Sequence, residues 1–298
     1  NILNGTLNPS TGEVLINGIN IHREKEKIKG VIGYVAQEDL LIEELTVFQN
    51  LYYNAKLCFA DLNDHEITEK VNNLLLSLGL FEIKDIQVGN IFNKKISGGQ
   101  RKRLNIALEL IREPSVLFLD EPTSGLSSKD SENIMDLLKD LSLKGKLVFV
   151  VIHQPSSEIF KMFDRMLILD NGGYLIYDGD PVDAIMYFKS KAHYANWTES
   201  ECPTCGNVNP EQIFNIVEAA LVDEYGHETQ NRKVSPQEWY NYFLEYKKTK
   251  NNNQVIDTSN INKTIPEISF KVPNKLKQFI IFSIRDILTK LSNIQYLL

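Results

Sequence analysis

Nowhere do the 298 residues hold the ~18 uninterrupted apolar positions that a membrane-spanning helix needs. Cysteine is scarce: Cys58, Cys202 and Cys205 are too few and too unevenly placed for a disulfide framework, which fits a reducing compartment. Positive charge is in deficit, with Lys plus Arg at 32 against Asp plus Glu at 39 and a formal net charge of −7. That balance offers no general cationic surface to the phosphates of DNA or RNA, so non-specific nucleic-acid binding is disfavoured. There is no internal repeat. The start, Asn1-Ile-Leu-Asn-Gly5, lacks Met and has neither the basic beginning nor the apolar stretch of a signal peptide, so the chain reads as a piece of a longer protein. What remains is ordinary for a globular chain, 43% hydrophobic and 24% charged, with length for about two domains at roughly 150 residues each.

The hydrophobic pattern switches period several times. Glu13–Ile16 and Ile19–Ile21, joined by Asn17-Gly18, predict a two-residue hairpin, and Val31–Ala36 predicts a strand ending at Gln37. From Thr46 to Gly79 the period is helical, with Ile67, Val71, Leu74, Leu75 and Leu78 on one stripe and Gly79 placed to end it. A helix follows Ser97-Gly-Gly-Gln100 as far as Arg112, and Ile134, Leu137, Leu138 and Leu141 mark another. The apolar runs Val116–Leu119, Leu147–Ile152 and Met166–Leu169 are short enough for strands buried on both faces, so the chain reads as α/β with a mostly parallel sheet. Beyond Lys189, Asn209-Pro210 opens a helix carrying Ile213, Phe214, Val217 and Leu221, and Ser235-Pro-Gln-Glu238 is a capping box. Residues 249–269 read as a polar linker. The last stretch places Leu276, Phe279, Ile280, Ile284, Ile287, Leu288, Leu291 and Ile294 on one helical face.

Four places carry chemistry. In Ile96-Ser-Gly-Gly-Gln100, two glycines behind a serine let backbone amides approach an anion, and the helix that follows aims its positive end there, so a phosphate suits it; read alone, the same residues serve as a capped Gly-rich turn. Twenty residues on, a buried strand delivers Asp120-Glu121 to the C-terminal sheet edge, where open α/β folds bind ligands. An Asp there suits Mg²⁺, and a Glu beside it suits orienting or deprotonating an attacking water. A further strand ends in His153-Gln-Pro-Ser156, which puts His153 at the same edge if the strands are neighbours; taken singly it is more often a packing residue. Gln37, also at a strand end, becomes a candidate water or Mg²⁺ ligand only through this company. Arg101-Lys102-Arg103 reads as a solvated cationic face.

Joined in order, these residues resemble the ATP-binding domain of an ABC transporter. The resemblance makes Gln37 the Q-loop glutamine, Ser97, Gly98, Gly99 and Gln100 the signature motif, Val116–Asp120 the Walker B strand, Glu121 the catalytic carboxylate and His153 the switch histidine. Ile-Ser-Gly-Gly-Gln-Arg-Lys-Arg, with Asp-Glu-Pro-Thr-Ser-Gly-Leu and His-Gln-Pro-Ser, is similar to the G subfamily, the white or pigment-precursor type, as a bacterial fused half-transporter. It implies a P-loop NTPase-like ABC core over 1–44 and 97–190, mostly parallel with an antiparallel edge. An α-helical signature subdomain would occupy 45–96, a helical extension 191–248, and a linker and amphipathic connecting helix 249–298, leading to a transmembrane domain in the same chain.

The implied function is ATP hydrolysis coupled to transport, with ATP and Mg²⁺ as cofactors and a second ABC domain as partner. Asp120 and Gln37 would serve the Mg²⁺, and the site would lie at the cytoplasmic face of the cell's inner membrane. Lys275, Lys277, Arg285 and Lys290 give the last helix a cationic side for anionic lipid. The alternatives are a soluble ABC ATPase acting on nucleic acid or ribosomes, and a non-hydrolysing regulatory module.

Two departures stand out. The family's Walker A loop, G-x-x-x-x-G-K-[ST], occurs nowhere in the 298 residues, so these residues alone are expected to bind ATP weakly and hydrolyse none. Ser127 stands where the family's D-loop has Asp, with Asp130 nearby and an alternative role for Ser127 as a helix cap. Cys202-Pro-Thr-Cys205 is half of a zinc knuckle without its second pair, and reads as a turn into the Pro210 helix. Asn196-Trp-Thr198 is a sequon that a cytoplasmic domain leaves unmodified.

Overall fold

A computed structural model describes residues 1–90, 93–194, 196, 198, 200, 207–223, 225, 227–250 and 271–293. The Cys202–Cys205 knuckle, Trp197 of the sequon, Ile294 and nearly all of the 249–269 stretch lie outside them. The chain divides into two compact units, Asn1–His153 with Ile261–Leu298, and Gln154–Asn260.

The first unit opens with the expected hairpin: β1 (Leu15–Ile16) pairs antiparallel with β2 (Ile19–Asn20). Asn17 and Gly18 both take left-handed backbone, φ 48° and 76°, as a turn matching the twist of its strands requires. β3 (Ile32–Val35), β4 (Val116–Asp120) and β5 (Leu147–Val151) form a parallel sheet in that spatial order. Phe118 on β4 pairs with Phe149 on β5, their rings stacked 4.7 Å apart. Between β3 and β4 run three helices, α1 (Val47–Cys58), α2 (Asp64–Ser77) and α3 (Gly98–Leu110), each opened by a reciprocal capping box: Thr46 with Gln49, Asn63 with Glu66, Ser97 with Gln100. The α2 stripe buries Ile67, Val71 and Leu75, and Leu80 N–H closes the helix end on Leu75 O at 2.8 Å. Helix α4 (Ser128–Leu143) buries Ile134, Met135 and Leu138.

Burial on both faces holds for β4, where Val116, Leu117 and Leu119 are buried, but not for β5, whose Leu147 and Val151 are exposed. The physical reason is position: β4 has a strand on each side, whereas β5 ends the three-stranded sheet.

The second unit begins with α5 (Ser157–Lys161). Its next strand, β6 (Met166–Asp170), is the run expected in the parallel sheet; instead it pairs antiparallel with β7 (Tyr174–Gly179) and leaves Leu169 67% exposed. An apolar run of four, Met166–Leu169, cannot tell a hairpin arm from a central strand. α6 (Pro181–Lys191), α7 (Glu211–Val217) and α8 (Pro236–Lys250) pack Tyr177, Ile185, Phe188, Ile213, Val217 and Trp239 into one core. Leu221, expected on the α7 stripe, lies instead in β8 (Ala220–Val222), which pairs with β9 (Glu228–Arg232). That pairing joins residues 6 to 12 positions apart, and a strand of 3 residues is too short for local periodicity to reveal.

At the start of α8, Ser235 N–H donates to Glu238 Oε2 at 2.7 Å and Glu238 N–H donates to Ser235 Oγ at 3.3 Å, the expected capping box. Ser235→Ala is expected to cost the second unit about 1 kcal/mol, read as a lower urea midpoint at unchanged m-value. No change in midpoint would show the cap to be replaced by water.

Helix α9 (Lys275–Ser292) returns to the first unit. Lys271 N–H donates to Cys58 O at 3.0 Å, Ala60 N–H donates to Lys271 O at 2.7 Å, and Asn293 Nδ2 donates to Glu44 Oε1 at 3.2 Å. The residue this docking buries is Ile281, 4% exposed, which is not on the expected stripe; Leu276, Phe279, Ile280, Ile284, Ile287 and Leu291 are all exposed. No described helix is long and apolar enough to cross a membrane.

Candidate functional site

The sheet register brings the candidate residues to one edge. β4 ends in Asp120, followed by Glu121; the turn after β3 carries Gln37; and Asp120 pairs with Val151, the last residue of β5, so His153 sits in the bend two residues past the end of that adjacent strand. Gln37 Nε2 donates to Glu121 Oε2 at 2.8 Å. Tyr34 Oη donates to Asp120 Oδ2 at 3.4 Å, a long contact, and partial desolvation together with the Asp120 charge pushes the phenol pKa up. Glu121 itself takes a left-handed backbone, φ 43°, rare for a non-glycine residue, with its N–H donating to Val151 O at 2.9 Å. A strained backbone at a strand end is a recurrent device for aiming a side chain out of a sheet. His153 is exposed, and no hydrogen bond joins it to either carboxylate among the described residues.

A second group forms at the start of α3. Ser97 Oγ accepts from Gln100 N–H at 3.2 Å, and Ser97 N–H donates to Gln100 Oε1 at 2.8 Å. Gly98 and Gly99 occupy the first two helical positions, whose N–H groups have no acceptor within a helix and point along its positive end. Gly99 has a packing reason to lack a side chain: a Cβ there would lie 2.4 Å from Asp130 Oδ1. Ser127 caps α4, accepting from Asp130 N–H at 3.1 Å and donating to Asp130 Oδ2 at 2.9 Å. Thus Gln37, Asp120 and Glu121 form one cluster, and Ser97–Gln100, Ser127 and Asp130 form another. No hydrogen bond or ion pair joins them among the described residues.

The reading of Arg101-Lys102-Arg103 as a solvated face is overturned. Lys102 is 8% exposed and its Nζ donates to Gln37 O at 2.9 Å. Arg101 grips Asp39 with a two-pronged contact, Nε to Oδ2 at 2.9 Å and Nη2 to Oδ1 at 3.1 Å. Burial lowers the Lys102 pKa, with Asp39, Asp120 and Glu121 opposing the shift. Sequence reading missed Tyr34, Asp39 and Lys102, because the partners lie 62 to 86 residues apart.

The donor chemistry fits a hydrated Mg²⁺. Asp120 and Gln37 offer hard oxygens, and this ion commonly takes one or two protein ligands and keeps several waters. No group of three or more His, Cys, Asp or Glu residues suited to a dedicated metal cage occurs among the described residues. The two amides opening α3 fit an anion such as a phosphate.

A parallel sheet with an acidic pair at its C-terminal edge, and a Gly-Gly helix start inserted before it, defines an ABC-type ATP-binding domain. Residues 1–124 match the family model described as ABC transporter, and residues 153–280 match the one described as ABC-2 type transporter. The mouse protein "Broad substrate specificity ATP-binding cassette transporter ABCG2" is 40% identical over 185 residues, covering 62% of this chain and 28% of that protein. "ABC transporter G family member 13" of Arabidopsis thaliana is 41% identical over 220 residues, covering 72% of this chain and 31% of its own length. Among solved structures, cbiO1 from Clostridium perfringens, described as part of the ABC transporter complex cbiONQ, superposes with a TM-score of 0.54 at 29% identity, over 65% of this chain and 76% of that one. Both matched segments are those of ABC transporters, and the relatives include members of the G subfamily. It spans less than a third of the length of these curated relatives.

Proposed function

We propose that this chain supplies the ATP-hydrolysing part of a membrane transporter and works as a pair of ABC domains closing on ATP. The observation that carries this is the Gln37–Glu121 contact at 2.8 Å, which ties a strand-end amide to the carboxylate best placed to act on water. Asp120, with Gln37, would hold Mg²⁺, which supplies charge neutralisation at the phosphates when bound. Glu121 orients and deprotonates the attacking water, and His153 reaches the same edge from β5. Ser97, Gly98, Gly99 and Gln100 present backbone and hydroxyl donors to the nucleotide held by the other copy, with Ser127 beside them. Opening and closing of the pair would drive a membrane domain through residues 45–96.

Helix α9 would lie along the cytoplasmic face of the membrane. Its exposed Leu276, Phe279, Ile280, Ile284, Ile287 and Leu291 supply apolar area, and Lys275, Lys277, Arg285 and Lys290 supply charge. The net charge of −7 disfavours the nucleic-acid or ribosome alternative. Fractionation of cells expressing the full-length protein tests the reading. The expected result is recovery in the membrane pellet, released by detergent and not by 1 M salt. Recovery in the soluble fraction, bound to RNA or ribosomes, would overturn it.

A further inference from the structure

We propose that Lys102 and Arg101 are positioning residues: they clamp the turn bearing Gln37 onto helix α3 and thereby set the reach of Gln37 to Glu121. The inference rests on the hydrolytic reading of Gln37, Asp120 and Glu121.

Three side chains within the first two turns of α3 hold the segment 37–40. Lys102 Nζ donates to Gln37 O at 2.9 Å; Arg101 forks onto Asp39 at 2.9 and 3.1 Å; and buried Asn105 accepts Leu40 N–H on its Oδ1 at 3.3 Å. Arg101 is anchored a third time, Nη1 donating to Gly89 O at 2.6 Å. A buried ammonium is costly unless it is hydrogen-bonded and faces opposite charge. Lys102 meets both conditions, through the Gln37 carbonyl and through Asp39, Asp120 and Glu121 around it. A lysine that served only solubility would stay in water, whereas this one is spent inside, bonded to the residue whose side chain reaches Glu121.

Geometry gives the clamp a direction. Ser97–Gly99 open the same helix, so a shift of α3 at its anion-binding end is carried along a rigid rod to Lys102, one turn away, and from there to Gln37. The Arg101 fork fixes orientation as well as distance, because two parallel bonds resist rotation where one does not.

The test uses the full-length protein and two readouts: steady-state ATP hydrolysis, and amide hydrogen exchange of residues 36–40. For Lys102→Met the expected result is a fall of tenfold or more in kcat with KM changed less than twofold, and exchange at 36–40 at least tenfold faster. Lys102→Arg, which keeps the charge and the donors, recovers kcat to within about threefold of the unsubstituted protein. In a Gln37→Ala background Lys102→Met lowers kcat less than twofold further, since nothing remains to position. Costs that multiply in the double variant, or unchanged exchange at 36–40, would overturn the proposal. Should Lys102→Met fail to fold, Arg101→Gln, which removes the Asp39 fork, carries the same thresholds for both readouts. Absence of ATP turnover in the unsubstituted protein would sink the hydrolytic reading, while the exchange measurement would still decide the clamp.

Discussion

Glu121→Gln in the full-length protein lowers the ATP hydrolysis rate by about 10²–10⁴-fold and leaves nucleotide binding in place, the range expected when a positioned general base loses its ability to take a proton. The substitution is close to isosteric. Its amide oxygen still accepts from Gln37 Nε2, so the 2.8 Å contact and the left-handed turn at φ 43° survive. Asp120, one residue earlier, keeps its carboxylate and its contact with Tyr34. What is removed is the negative charge at the strand end, and with it the drive to deprotonate water. The expected signature is therefore a selective loss: single-turnover hydrolysis collapses while retention of labelled ATP persists. Unchanged turnover would remove Glu121 from its role and leave His153 as the remaining candidate base on this edge.

Trp239→Ala destabilises the second unit by about 3–5 kcal/mol, the cost of deleting a large buried aromatic ring whose surroundings relax only in part. Trp239 is fully buried, edge-on to Phe188 at 5.2 Å and to Tyr242 at 5.8 Å, in the cluster that also holds Tyr177, Ile213 and Val217. Its indole Nε1 is buried without a hydrogen-bond partner among the described residues. Trp239→Phe, which gives up that unpaired donor along with some volume, should therefore cost distinctly less. Calorimetry of the full chain should show an early transition for residues 154–260 while the three-stranded sheet of the other unit melts as before. A loss below about 1 kcal/mol for Trp239→Ala would mean that the cluster collapses around the gap.

Local features were the legible ones. The Asn17-Gly18 hairpin, the α2 stripe and the Ser235–Glu238 cap each depend on residues within one or two turns of each other, and each stands in the structure as its pattern predicts. The acidic pair at a strand end was legible because a buried strand must deliver its last residues to an edge. What escaped sequence reading was which segments pair. The antiparallel partner of β6, the transfer of Leu221 from helix to strand and the exposure of β5 all follow from pairings that local periodicity does not encode. The basic triplet misled for the same reason. Three consecutive cations look solvated until Asp39 and the Gln37 carbonyl arrive from 62 and 65 residues away.

The return of the chain from the second unit makes that unit, in topological terms, an insertion. Lys271 closes a circuit on Asp61 across 210 residues, and Asn293 closes another on Glu44 across 249. Closing so long a circuit is entropically expensive once, but nearly indifferent to its length: even doubling it would add only about 0.6 kcal/mol. A change of length within the circuit is therefore expected to have little thermodynamic consequence, whereas the few bonds at Cys58, Ala60 and Glu44 that fasten the returning helix have no such latitude.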